Sequence, residues 1–135
     1  MIGLRALKGV MALMALVVAF GAAAAAPQTS NQGGVVVRVT PDRLAPDAAT
    51  WDFEVVFETH TAPLTGDPAQ FAVLLDPQGR THAALRWDGD PPGGHHRKGV
   101  LRFKALQPAP ASVTLKIRGI GGVPERAFTW PVADR

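Results

Sequence analysis

The chain has 135 residues, 14 of them basic and 11 acidic, and no cysteine. The absence of cysteine excludes a disulfide-stapled scaffold and a thiolate-ligated metal centre, so the fold has to rest on burial. Arg5 and Lys8 fall in an N-terminal targeting segment, leaving twelve basic against 11 acidic residues beyond it. That near balance argues against a nucleic-acid partner, because phosphate binding needs a concentrated basic face.

The first 25 residues read as a secretory signal peptide. Arg5 and Lys8 supply the positive start, Val10 to Phe20 the apolar run, and Ala22 to Ala26 the small residues a signal peptidase requires. Proline directly after a cleavage point is unfavourable, so the cut is placed after Ala25 rather than after Ala26, which Pro27 follows. The apolar run is short of the roughly 20 residues of a spanning helix, and no later run reaches that length. A periplasmic or secreted protein with no stable membrane insertion after cleavage is expected. Residues 26–34 are polar and contain Gly33-Gly34, and they read as a flexible leader. Residues 35–135 then form a single domain, large enough for one core without covalent staples.

From Val35 onward the pattern has period two. Val35, Val37 and Val39 give a first strand that Pro41 ends, and Trp51, Phe53, Val55 and Phe57 alternate with Asp52, Glu54, Val56 and Glu58 in a second. Phe71 to Leu75 is a third, stopped by Asp76-Pro77-Gln78-Gly79, whose residue types suit a turn. Ala83, Leu85 and Trp87 mark a fourth strand, and Leu101 and Phe103 a fifth. Val113, Leu115 and Ile117 mark a sixth, and Phe128, Trp130 and Val132 a seventh. No segment beyond the signal has helical periodicity over a useful length. About seven short strands predict an all-β fold, an immunoglobulin-like antiparallel β-sandwich with tryptophan and phenylalanine filling the intersheet space.

If these strands run alternately up and down, the loops at 61–70, 88–98 and 119–125 share one end. His60 closes the second strand there, His95 and His96 lie in the loop before the fifth, and the second and fifth strands are paired in the usual topology. His82 falls at the opposite end and is left out of the site. Neutral imidazole is a common ligand of zinc and copper, so His60, His95 and His96 are the expected ligands of a divalent copper or zinc ion. Glu58, Asp67 and Asp90 are candidate fourth ligands. The bland reading has one of His95 and His96 hydrogen-bonded to backbone, stabilising a glycine-rich loop, while the other is solvated. The basic run Arg97, Lys98, Arg102 and Lys104 reads as a solvated strand edge that discourages edge pairing.

Enzyme chemistry is not expected. Ser30 and Ser112 sit outside any nucleophile elbow, Thr59 and Thr61 alternate in direction with His60, and no phosphate loop or dinucleotide fingerprint occurs. The alternative to metal binding is a protein-interaction or envelope accessory domain, with Ile120, Val123 and Pro124 offering apolar groups at the histidine end.

Thr59-His60-Thr61, Trp87-Asp88-Gly89 and the run from Gly93-Gly94-His95-His96-Arg97 to Leu101 together resemble a pattern of small exported bacterial domains of unknown function. The resemblance spans Trp51 to Trp130 and implies that His60 and the His95–His96 loop form one unit. It brings no activity with it, and the Ala62-Pro63 step departs from the more polar continuation of that pattern.

Overall fold

A computed structural model of the protein describes residues 25–133. The expected signal segment lies outside the described residues except for Ala25, which packs on the core. The fold is all-β, with nine strands in two antiparallel sheets among the described residues. One sheet has the order β1 (Gln28–Gln32), β2 (Val35–Pro41), β3 (Thr50–Thr59), β7 (His96–Lys104), β6 (Arg86–Gly89). The other has the order β5 (Thr81–Ala83), β4 (Ala72–Leu75), β8 (Ser112–Arg118), β9 (Glu125–Pro131). A single helical turn, α1 (Pro68–Phe71), precedes β4. Asp67 caps it by accepting from the Ala69 N–H at 2.9 Å, and Pro68 fills the first position, where no N–H is needed.

The period-two strands bury the faces their sequences predict. Val35, Val37 and Val39 on β2, with Trp51, Phe53, Val55 and Phe57 on β3, face Leu115, Ile117, Phe128 and Trp130 of the other sheet in one core cluster. Phe53 bridges the layers, 5.7 Å from the Phe103 ring in an edge contact and 5.7 Å from Trp130. Such aromatic pairs add about 0.5–1.5 kcal/mol each beyond their area burial. The buried indole N–H of Trp51 donates to the Ala45 carbonyl at 2.9 Å, so this side chain enters the core without an orphaned donor.

Two expectations are corrected. Residues 28–32 are a strand rather than a leader, paired residue for residue from Gln28↔Val39 to Gln32↔Val35. Gly33 and Gly34 both have positive φ (60° and 73°), the geometry of a two-residue hairpin turn. As a mostly exposed edge strand β1 has no apolar alternation to betray it, and its ladder is carried by backbone. The second correction concerns the fourth strand. It divides at Ala84–Leu85: β5 pairs with β4 in one sheet, and β6 pairs with β7 in the other. The alternation of Ala83, Leu85 and Trp87 therefore spans a change of sheet, and Leu85 is 58% exposed instead of inward.

Arg126 fastens the β1–β2 hairpin to the β8–β9 turn. Its guanidinium is buried and donates to the carbonyls of Gln32 (2.8 Å), Ile120 (3.1 Å) and Val35 (3.2 Å) and to Ser30 Oγ (2.9 Å). Burial pushes it below the usual arginine range, and its Nε has no partner. Beneath this clasp Gly33 and Gly121 approach so closely that a Cβ on Gly33 would lie 2.3 Å from the Gly121 oxygen. Removing the guanidinium orphans several buried carbonyls, so Arg126→Ala is expected to lose at least about 3 kcal/mol of stability, measured by urea unfolding.

Candidate functional site

The histidine end is assembled from the β1–β2 hairpin, residues 60–67, residues 90–95 and the turn at 119–124. β3 and β7 are neighbours, as expected, and the Thr59 N–H donates to the His95 carbonyl at 2.9 Å, so His95 lies beside Thr59, the residue before His60. All three histidines are exposed. His96 is the first residue of β7 rather than a loop residue, opposite Glu58 in the register, with its Nδ1 3.4 Å from Glu58 Oε1. Both side chains are more than half exposed, which leaves this contact little energetic weight. Among the described residues no group of three or more histidine, aspartate or glutamate side chains is gathered closely enough to hold a metal ion.

The rest of the Gly-Gly-His-His-Arg run has a structural account. Arg97 points inward, 3% exposed, and donates to the Asp90 carbonyl from Nε (3.0 Å) and to the Gly66 carbonyl from a terminal nitrogen (2.8 Å). Its guanidinium carbon lies 5.6 Å from the centre of the Trp87 ring, a cation–π distance. Desolvation pushes Arg97 downward, opposed by the charges of Asp67 and Asp90. The Gly93 N–H donates to the Leu64 carbonyl at 2.7 Å, and Asp90 exchanges backbone and side-chain bonds with Lys98. Gly89 and Gly99 face each other under Trp87, where a Cβ on Gly99 would meet the indole at 2.5 Å. Thr59, buried, donates to the Gly34 carbonyl and accepts from the N–H groups of Thr61 and Ala62, which shapes the Thr-His-Thr turn.

Of the three residues of the expected apolar patch at this end, Ile120 is buried as a cap on the core, Val123 is half-buried and Pro124 is exposed. The basic run is not a strand edge, because β7 lies between β3 and β6. Arg97 is buried, Lys98 Nζ lies 3.6 Å from Glu54, and Arg102 grips Asp52 with two bonds of 2.7 and 2.8 Å. The hydrogen bond from Arg102 holds the Asp52 carboxyl below its usual range. Lys104 alone of the four is exposed with no carboxylate partner among the described residues.

A large open cleft lies at the other end of the strands. β7 carries His96 at one end and Lys104 at the other, about 27 Å away at the rise of an extended chain. There the cleft, of about 870 Å³, is lined by the turn after β4, by β5, by Leu85 and by residues 104–110. His82, left out of the predicted site, lines it. Its Nε2 lies 3.1 Å from Asp76 Oδ2, and because an ionised carboxylate only accepts, Nε2 carries the proton in this contact. Asp76 is buried and also accepts from the N–H groups of Gln78 and Arg80 (3.0 Å each) and from Arg80 Nε (2.8 Å). Burial pushes this carboxyl up, but the bonds from His82 and Arg80 outweigh it and hold the group at about 2, below its ordinary 3.8. The Asp-Pro-Gln-Gly turn signal was legible in sequence. That His82 folds back onto Asp76 depends on the register of β5 on β4, which pairs His82 with Leu74.

Comparison with protein-family models, curated proteins and solved structures finds no match to this chain.

A carboxyl held below its unfolded value stabilises the fold above about pH 4, and that contribution disappears as pH falls through about 2. Asp76→Asn is therefore expected to lower the melting temperature most near neutral pH, with the gap to wild type closing between about pH 4 and 2 in a thermal unfolding series.

Proposed function

We propose that this protein is an exported, non-enzymatic binding module, periplasmic or secreted, with an immunoglobulin-like β-sandwich fold that recognises a protein partner. The strand order supports the fold: successive strand pairs alternate between the layers, β2–β3 and β6–β7 in one sheet and β4–β5 and β8–β9 in the other, as in a Greek-key sandwich. The observation that carries the functional reading is the open cleft at the β5–β6 crossover, lined by the exposed Leu85 and by Lys104, which has no carboxylate partner among the described residues. A mixed apolar and charged concavity on a rigid scaffold suits recognition. The His82–Asp76 pair in that cleft faces no serine, threonine or cysteine among the residues that line it, which favours binding over acyl transfer. The likeness to small exported bacterial domains belongs to the same proposal.

A test is in-cell photo-crosslinking from position 85 in an expressing host. The expected outcome is a discrete adduct with an envelope protein, absent when the crosslinker is placed at Thr114 on the outer face of β8. Equal labelling at the two positions, or none at either, would reject the reading.

A second reading, a divalent copper or zinc ion on His60, His95 and His96, is favoured by the backbone bond from Thr59 to His95, which sets the three residues at adjoining strand ends. It predicts stoichiometric heat of binding when the protein is titrated with Cu²⁺ or Zn²⁺, lost in a His95→Ala/His96→Ala variant. Titration without heat would dismiss it.

A further inference from the structure

The cleft has a definite chemical character. Its charged wall is basic: Lys104 has no carboxylate partner among the described residues, and Arg80, with 71% of its side chain exposed, uses only Nε on Asp76. The one acid in the lining, Asp76, is buried behind the hydrogen bonds of Arg80 and His82 and has no charge to spare for a cationic ligand. The apolar lining is Leu85, the most exposed large hydrophobic side chain of the described residues, together with Pro108 and Pro110. Aromatic side chains, which dominate sites for planar cofactors, are missing from this lining.

The cleft is also preformed. The Ala105 N–H donates to the Ala49 carbonyl at 3.1 Å and Gln107 Nε2 to the Pro46 carbonyl at 2.8 Å, which pins the 104–110 wall to the loop before β3. The Leu85 N–H donates to the Arg102 carbonyl at 2.7 Å, which fixes the crossover. Beside it β5 is the outer strand of its sheet, with one neighbour only. A rigid concavity next to an unpaired strand edge suits an extended chain rather than a compact ligand.

We infer that the cleft at the β5–β6 crossover docks an extended acidic peptide segment of a partner protein, its carboxylates on Lys104 and Arg80 and an aliphatic side chain against Leu85. This rests on the binding-module reading and deepens it by naming the partner's chemistry. Complementary charge supplies steering and orientation, and the buried aliphatic contact supplies the retention.

The test is selection from a displayed library of random linear peptides on the exported protein, followed by fluorescence anisotropy with the most enriched sequence. The expected sequences carry aspartate or glutamate flanking leucine, isoleucine or valine. Their affinity is expected to fall by about tenfold or more in Lys104→Glu and in Leu85→Asp, to weaken with salt, and to be unchanged in Arg38→Ala, an exposed basic residue of β2 outside the cleft. Because both substituted side chains are exposed, the variants should keep the wild-type circular dichroism. Selected peptides that are basic or uncharged, that bind Lys104→Glu as well as wild type, or that fail to emerge at all would overturn the cleft assignment. So would a dimer in sedimentation that Leu85→Asp dissolves, which would make a second copy the occupant. A partner crosslinked from position 85 whose capture survives Lys104→Glu would retain the binding module and remove only the acidic-peptide assignment.

Discussion

The structure depends on burying the inner faces of β3 and β2 against β8 and β9 without any covalent cross-link. Trp51, Phe53, Val55 and Phe57 contribute one continuous inward face, and Phe53 reaches Trp130 across the layers. Full burial of side chains of this kind contributes roughly 1.5–3 kcal/mol each, set against the conformational entropy of ordering the chain. Every other feature is arranged around that core. The long pairing of β3 with β7, from Thr50↔Lys104 to Glu58↔His96, carries the core to both ends and defines two separate loop surfaces.

Those two ends are closed by different physics. At the histidine end, two buried guanidiniums, Arg97 and Arg126, satisfy backbone carbonyls of loops that would otherwise turn unpaired acceptors inward. Glycines allow the approach: Gly33 against Gly121, and Gly89 against Gly99 under the Trp87 ring. The motif that looks most like a ligand site in sequence is thus in good part a packing device, with Arg97 as its working member and His95 and His96 at the surface. At the opposite end the polar groups are used differently. Asp76 gathers its own turn and His82, while Lys104 and Leu85 stay open to solvent beside a concavity.

The division of the fourth strand links fold to function. A chain that stayed in one sheet would have turned Leu85 to one consistent face. By crossing between layers at Ala84–Leu85 it ends one sheet and begins the edge of the other, and the corner it makes is a wall of the cleft. At the 119–124 turn the large aliphatic side chain, Ile120, instead turns inward and caps the core.

Much of the fold was legible in the residues themselves. Alternation in 51–57, 113–117 and 128–132 determined strand type and the inward face, because side-chain direction in a strand has period two whatever the neighbours are. The Asp76–Gly79 turn and the shared end of the loops at 61–70, 88–98 and 119–125 followed from local chemistry and strand count. Polar β1 was not legible, since an edge strand is held by backbone bonds that leave no side-chain pattern, though Gly33-Gly34 was a hairpin signal. Tertiary structure alone decided which basic residues are neutralised, that Arg97 and Arg126 are buried clasps, and that His82 meets Asp76. These depend on cross-strand register and on carbonyls contributed from distant loops, and periodicity along one strand carries no information about what lies across from it.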